Sequence, residues 1–282
     1  MKKLTQAEYL PIDKLKPFDG HPFYVKDDDD MDQLTESIRS QGVLTPLVVR
    51  PINNDEYEVI SGHRRLHACQ KAGIEMIPAF IYSMDRSEAV VAMVDSNLHR
   101  EKLLPSEKAF AYKMKMDALK HQGKTSGQVG QKWTRDTMAG GTDDSSRQIH
   151  RYVRLTHLQQ KILSMVDEGR IALTPAVELS YLTEEEQHDL LETMESEDCT
   201  PSLSQALKMR EFSKAGKLSM DVIFSIMTQP KANQQEKISF KVAALRPYFP
   251  RHYNTAQMMQ EIVIALKERQ QRLQRQRDRD AR

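Results

Sequence analysis

The sequence predicts an α+β region at the N-terminus followed by a region built of helices alone. Runs rich in β-branched and aromatic residues, Leu47–Arg50, Tyr57–Ser61 and Ile77–Tyr82, are confined to the first third of the chain. Between and after them, apolar residues recur at helical spacing, and beyond about residue 130 one helix-start signal follows another. The 282 residues, 39% of them hydrophobic, suffice for about two domains and a tail.

Residues 1 to about 25 read as an irregular lead-in punctuated by Pro11, Pro17 and Pro22, with Ile12 and Leu15 as packing points. Four acids, Asp27–Asp30, precede a helix over Met31–Ser40, where negative charge suits the helix dipole. They are read as a solvated cap and not as metal ligands. Met31, Leu34 and Ile38 form that helix's apolar stripe, and Gly42 is its stop. Leu47–Arg50 and Tyr57–Ser61 flank the turn residues Asn53–Asn54–Asp55 and predict a hairpin. A helix from His63 to Gly73, a strand over Ile77–Tyr82, a helix capped by Ser87 and running to about Asn97, and a helix from Pro105 to about Lys120 complete the first unit. Phe110, Met114 and Ala118 are expected on the inner face of the last of these.

Composition then shifts to Gly, Gln, Ser and Thr over 121–130, as in a linker. Thr174–Pro175, Thr183 with Glu186, and Thr200–Pro201 mark three successive helix starts. Past Lys217 the reading is a helix near Asp221–Met227, an extended piece near Ile238–Val242, and a final helix capped by Thr255. Met259, Ile262, Leu266 and Leu273 lie near heptad spacing in that helix, and its polar end, RLQRQRDRDAR, has nothing to pack. The expected division is 1–120, 121–216 and 217–282.

Net charge is only +1, from 41 basic and 40 acidic residues, so any nucleic-acid footprint must be local. Two cysteines, Cys69 and Cys199, build no disulfide framework and point to a reducing compartment. The opening MKKLTQAEYLPIDKL lacks a secretion signal's apolar core, and the run Ala89–Val94 is too short to span a bilayer. A cytoplasmic protein with no membrane role is expected.

Three polar clusters carry chemistry. At Ser61–Gly62–His63–Arg64–Arg65 a strand gives way through one glycine to a helix whose first turn is basic. A helix N-terminus already carries partial positive charge, so arginines there suit a bound phosphate, or else a salt-bridged surface. No GxxxxGK[ST] or GxGxxG is present, and Arg64 stands where a zinc hydrolase's HExxH has its glutamate, which argues against metal at His63 and His67. The second cluster, Ser96–Asn97–Leu98–His99–Arg100–Glu101, reads locally as a helix C-terminal cap. The third is Ser145–Ser146–Arg147–Gln148–Ile149–His150–Arg151–Tyr152–Val153–Arg154. Ile149, Tyr152 and Val153 form its apolar stripe and Arg147, His150, Arg151 and Arg154 its basic one. Eight Lys/Arg against three acids between Lys120 and Lys161 supply the local footprint. A short helix at Thr134–Met138 joined through Gly140–Gly141 would give helix–turn–helix order. Ser145, Ser146, Arg147 and Gln148 would then lie at the reading end, with Arg151 and Arg154 on bases or phosphates.

In order and spacing, ESIRSQGVLTPLVVR (36–50), EYEVISGHRRLHACQKAGIEMIPAFI (56–81), SNLHREKLLPSEKAFAY (96–112) and SSRQIHRYVRLTHL (145–158) resemble the ParB/RepB family of DNA-partition proteins. The resemblance implies a sulfiredoxin-like ParB N-terminal domain binding CTP and Mg²⁺, an all-α helix–turn–helix domain reading a palindromic partition site in double-stranded DNA, and a small C-terminal helical or extended region that forms a homodimer. It also implies a ParA-type ATPase partner and a nucleoid- or plasmid-associated location. On the same grounds Gly62, His63, Arg64, Arg65, Asn97 and Arg100 hold the nucleotide, with Asn97 also a metal partner, and Gly42–Pro46 lies near the cytosine. His21–Pro22–Phe23 takes the place of the family's first Gln-Pro-Arg-like box. Ser96 stands where many relatives carry glutamate, which implies a switch with at most weak CTP hydrolysis. The competing reading is a transcriptional repressor or copy-control factor with a vestigial nucleotide site.

Overall fold

The computed structural model describes residues 7–53, 55–100, 103–125, 144–229, 242–250 and 252–280. A mixed five-stranded sheet organises the N-terminal part, made of β1 (Glu8–Pro11), β2 (Leu15–Pro17), β3 (Leu47–Pro51), β4 (Tyr57–Ser61) and β5 (Met76–Ile81) in the order β1-β5-β3-β4-β2. The predicted hairpin is the antiparallel β3–β4 pair, while β5 runs parallel to β3. The lead-in is not irregular: its two short strands close the two edges, β1 antiparallel to β5 and β2 parallel to β4. Strands of 4 and 3 residues are too short to show alternation in sequence, and Pro11 and Pro17 are tolerated because an edge strand leaves some N–H groups without ladder duties.

Alternation along the sheet explains its two cores. Leu47, Val49 and Val59 point to one face, where Met31 and Ile38 of α1 (Asp29–Gln41) and Leu66, Ala68 and Cys69 of α2 (His63–Ala72) cover them. Val48 and Ile60 point to the other, under α3 (Arg86–Leu98) and α4 (Pro105–Thr125), which bring Val90, Met93, Val94 and Tyr112. Asp28 caps α1 by accepting from the Met31 N–H, as the acidic run predicts. Asp27 and Asp32 both accept from Lys71, tying α1 to α2. A cross-strand ion pair, Arg50 Nε to Glu58 at 2.7 Å, is buried in the sheet and also receives the Asp19 N–H.

The helix α4 belongs to two cores at once. Ala111 and Tyr112 pack under the sheet, whereas Ala109 joins the helical core. Of the three residues expected inside, Ala118 is buried and Met114 packs against the core, but Phe110 is 40% exposed, because the inner stripe also runs through Ala111, Tyr112 and Lys115. Lys115 is buried against Asp95 at 2.6 Å. Helices α5 (Ser146–Arg154), α6 (Gln160–Asp167), α7 (Leu173–Leu179), α8 (Glu184–Ser196), α9 (Leu203–Lys214) and α10 (Met220–Met227) follow, sharing a core of Leu155, Ile162, Leu179, Leu190, Met209 and Ile223. At the start of α4, Ser106 donates to Asp167 at the end of α6, 2.5 Å away.

Helix caps fall close to expectation, with shifts that have a common cause. Thr183 and Glu186 form the predicted reciprocal capping box on α8. In α3 the cap is Asp85 and not Ser87, and in α9 it is Ser202, just past Thr200–Pro201. In each the acceptor three residues on, Glu88 or Gln205, reaches back to the cap N–H. Helix α7 opens after Ala172, which leaves Thr174–Pro175 inside its first turn. The predicted helix at Thr134–Met138, its Gly140–Gly141 turn and the extended piece at Ile238 lie outside the described residues.

By its contacts the chain divides into Met1–Gln229 and Pro230–Arg282. Within the second unit α11 (Val242–Leu245) precedes α12 (Thr255–Asp280), which is capped by Asn254 and Gln257 in a reciprocal box and not by Thr255. Met259, Val263, Leu266 and Leu273 of α12 are exposed. Among the described residues no helix is long and apolar enough to cross a membrane.

Candidate nucleotide cleft and nucleic-acid interface

Gly62 sits between β4 and α2 with φ +106°, a left-handed conformation that side-chain-bearing residues rarely adopt. A Cβ there would stand 3.0 Å from Leu47 Cγ and 3.2 Å from the Arg65 guanidinium, so the conformation demands glycine and a side chain would also push on both neighbours. Gly62→Ala is expected to lower stability by about 1–3 kcal/mol, read as a drop in thermal midpoint. An unchanged midpoint would show that the junction relaxes freely.

The residues of this junction diverge. Arg65 folds back and donates to the carbonyls of Thr45 and Pro46, the latter at 2.9 Å, so it secures the Gly42–Pro46 loop. His63 is buried; its Nε2 accepts from the Phe18 N–H, and its ring lies 3.7 Å from that of His21. Burial, the neighbouring His21 and Arg100 push the His63 imidazole down to about 3. Burial, with a smaller contribution from Arg100, pushes His21 down to about 4. The two rings border a cavity of about 240 Å³ with Pro17, Val25, Leu66, His67 and Gln70, into which no metal-binding cluster converges among the described residues.

Arg64 turns the other way, into a cleft of about 620 Å³ shared with Arg100, Lys26, Tyr24, Asp28, Asp30, Leu103, Leu104 and Glu107. Arg64 stands 3.8 Å from Asp28, and the Arg100 guanidinium lies over the Phe23 ring at 5.8 Å. Glu107 is the buried anchor of this cleft: one oxygen accepts from the Tyr24 N–H at 2.7 Å and the other from the Leu104 N–H at 2.9 Å. Arg64 and Arg100, 36 residues apart in sequence, are thus brought together, whereas Gly62, His63 and Arg65 shape the walls behind them. Asn97 is buried outside the cleft lining; its amide donates to the Met93 carbonyl at 2.8 Å and to Ser96 Oγ at 3.3 Å, leaving its carbonyl oxygen as the atom suited to a cation. Locally Glu107 is only a first-turn acid of α4, and its partner Tyr24 lies 83 residues away, beyond any local signal.

On α5 the sequence-predicted faces are real. Ser145 accepts from the Gln148 N–H as cap, Ile149 is buried under α4, and Tyr152 and Val153 pack beside it. Arg147 and His150 are exposed, and Ser146 opens the first turn. Arg151 donates to Gln148 at 3.1 Å and to Thr174 at 2.6 Å. Arg154 donates to Ser180 and stacks on the Tyr181 ring at 4.0 Å, so it ties α5 to the turn after α7. Among the described residues none of Arg147, Arg151 and Arg154 pairs with a carboxylate.

A family model described as the ParB N-terminal domain matches residues 2–98, the segment that carries the sheet, the Gly62 junction and Asn97. Residues 2–98 belong to the ParB N-terminal domain family. Similarity continues past the ParB domain. The nucleoid occlusion protein of Listeria innocua is 35% identical over 187 residues, covering 66% of this chain and 62% of that protein. The probable chromosome-partitioning protein ParB of Pseudomonas putida is 30% identical over 189 residues, covering 66% and 61%. The chain therefore spans about three fifths of the length of these curated relatives. A crystal structure of the C-terminally truncated chromosome-partitioning protein ParB from Caulobacter crescentus complexed to the centromeric parS site aligns with 79% of this chain and 100% of that one. At 19% identity and a TM-score of 0.43, that likeness supports no conclusion by itself.

Proposed function

We propose that the chain is a site-specific DNA-binding partition protein in which the ParB N-terminal domain acts as a CTP-gated clamp. The observation that carries this reading is the basic surface of α5: Arg147, Arg151 and Arg154 on a short Ser-capped helix, with no carboxylate to neutralise them among the described residues. Surfaces of ordinary solvated proteins intersperse the two signs, whereas an uncompensated cationic stripe suits the phosphate backbone of a duplex. The relatives' printed roles, nucleoid occlusion and chromosome partitioning, support the same reading. Binding-site selection on random duplexes tests it, and recovery of no preferred site would overturn it. Arg147→Ala is then expected to weaken specific binding by about 1–3 kcal/mol and to relax preference at one position. Equal losses on every sequence would make Arg147 a backbone contact instead.

In the cleft, Arg64 and Arg100 would engage the triphosphate. Gly62, His63 and Arg65 would hold the wall and the Gly42–Pro46 loop against the base. The cleft's cations suit a polyanion. A Mg²⁺ ion, when bound, would offset phosphate charge; Asn97, the residue expected to meet it, is buried outside the cleft lining, and the described residues hold no cluster of three or more His, Cys, Asp or Glu suited to caging a metal, so any ion would be held mainly by the nucleotide. Ser96 donates its hydroxyl to the Met93 carbonyl and supplies no carboxylate, which favours switching over hydrolysis. DNA favouring the nucleotide-bound state by differential affinity would gate the clamp. Dimerisation through 217–282, with 1–120 and 121–216 as the nucleotide and DNA domains, and a ParA-type ATPase partner complete the reading. The same Ser96 also favours the alternative, a repressor or copy-control protein with a vestigial site. CTP titration by calorimetry with and without the selected DNA separates the two, since heat in neither case would leave only the repressor.

A further inference from the structure

Reading a base edge requires a helix whose pose is fixed, and α5 is held on two sides. Ile149, Tyr152 and Val153 seat it on α4. On another side two of its arginines grip α7. Arg151 donates to Thr174 in the first turn of α7 at 2.6 Å, and Arg154 donates to the carbonyl and, at 3.2 Å, to the hydroxyl of Ser180 just past its end. Ser180 is itself buried and donates to the Val177 carbonyl at 2.7 Å, which gives the second grip a fixed anchor.

Tyr181 completes that second grip. The Arg154 guanidinium carbon lies 4.0 Å from the centre of its ring, and that of Arg210, from α9, lies 3.7 Å from the same point. Two planar guanidinium groups centred so near one ring cannot share a face of it, so Tyr181 lies between them. Glu178 of α7 holds Arg210 at 2.5 Å and offsets that cation, and α9 packs along α7. The stack thus joins α5, the turn after α7, and α9. Tyr181 is 43% exposed, and its hydroxyl makes no hydrogen bond among the described residues. With Arg154, Thr156, His157 and Thr183 it borders a polar cleft of about 480 Å³. The ring faces, and not the hydroxyl, do the holding.

We propose that Tyr181 and Arg210 are positioning residues for sequence recognition: they clamp Arg154 and so fix the angle of α5 on α7, without touching the duplex themselves. The inference rests on the DNA-binding reading above and goes beyond it, since it places a determinant of specificity on α9, outside the reading helix. Nine residues form α5, and Arg147 and Gln148 lie about 10 Å along its axis from Arg154. A tilt at the clamped end therefore displaces the readers, and hydrogen bonds to a base edge weaken steeply with such misalignment. Long cationic side chains on phosphates follow the same tilt, so the loss falls on selectivity and not on general affinity.

The whole chain is titrated with the selected duplex and with a duplex lacking the selected site, well below the thermal midpoint and over a range of salt. Tyr181→Ala is expected to weaken binding to the selected duplex by roughly three- to thirtyfold, while affinity for the other duplex and its salt slope stay unchanged. Tyr181→Phe keeps both affinities, because the ring faces remain. Arg210→Ala, which leaves the ring and the Arg154–Ser180 bonds in place, lowers the same preference by roughly two- to fivefold, and Arg210→Lys recovers part of it. A merely structural stack would lower the thermal midpoint of the alanine variants and leave the ratio of the two affinities unaltered, a result that overturns the proposal. An equal loss on both duplexes overturns it too, since the residue would then be a backbone contact, as does a loss for Tyr181→Phe matching that for alanine. Should Tyr181→Ala not fold, Arg210→Ala decides by the same ratio. If the unsubstituted chain prefers no duplex sequence, the DNA-binding reading itself falls, an outcome distinct from an unaltered ratio in the variants.

Discussion

Alanine at both Arg64 and Arg100 is expected to weaken binding of CTP by about 3–6 kcal/mol, or two to four orders of magnitude in dissociation constant. Each guanidinium would give up charge-assisted hydrogen bonds to phosphate oxygens, individually worth about 1.5–3 kcal/mol. The two side chains enter one cleft from different helical ends, Arg64 from the first turn of α2 and Arg100 from just beyond α3. Arg64 contributes little to folding, since its long contact with the exposed Asp28 is worth little, whereas Arg100 lies over the Phe23 ring, so a modest loss of stability is expected from that side chain alone. Calorimetric titration with CTP and Mg²⁺, alongside a thermal melt, checks both statements. A dissociation constant unaltered by the double substitution would move the nucleotide away from this cleft altogether.

The second large effect is on stability against acid. His21 and His63 are held at about 4 and about 3 in the folded protein, against 6.5 ordinarily, chiefly by burial. Folded-state values below the unfolded ones mean that the unfolded chain takes up the protons first. Stability is therefore fully present above about pH 6.5 and falls as pH drops through that value toward 4. One proton taken up only by the unfolded chain costs about 1.4 kcal/mol per pH unit, so two such groups give a loss on the order of several kcal/mol by about pH 4.5. Urea denaturation at a series of pH values reads this slope directly. His21→Phe keeps an aromatic ring against His63 and removes one titration. Its Nε2 has no partner to lose, since it is a buried nitrogen left unsatisfied. The variant should show roughly half the acid slope, and an unaltered slope would assign the acid sensitivity to carboxylates elsewhere.

Much of the fold was legible because its signals are local. Asn53–Asn54–Asp55 between two β-branched runs is a hairpin in any context, Gly73 stops a helix, and Thr183 with Glu186 caps one. The edge strands β1 and β2 were not legible. They exist because β5 and β4 offer them unpaired backbone groups, which nothing near Glu8 or Leu15 announces. The exposed Phe110 fails for a related reason: α4 must face two cores, so small residues, Ala109 and Ala111, line it where two surfaces close in.

The candidate sites divide in the same way. The α5 faces follow from a 3.6-residue period and could be read from Ile149, Tyr152 and the arginines alone. At Gly62 the sequence identified a strand–glycine–helix junction with excess positive charge, but not the direction each arginine takes. Backbone carbonyls of Thr45 and Pro46 capture Arg65, while Arg64 is left facing Arg100.

By itself, then, the sequence determined the element types, the α+β-then-helical order, the glycine on which the junction turns and the amphipathic basic helix. These depend on dihedral preference and periodicity, which act over a few residues. Only the tertiary structure decided which cations remain available to a ligand, that Glu107 anchors Tyr24 across the cleft, and that His157 shares a cleft with Arg154. Charge acts through space, and whether an arginine meets a carbonyl, a carboxylate or an open cleft depends on segments far away in the chain.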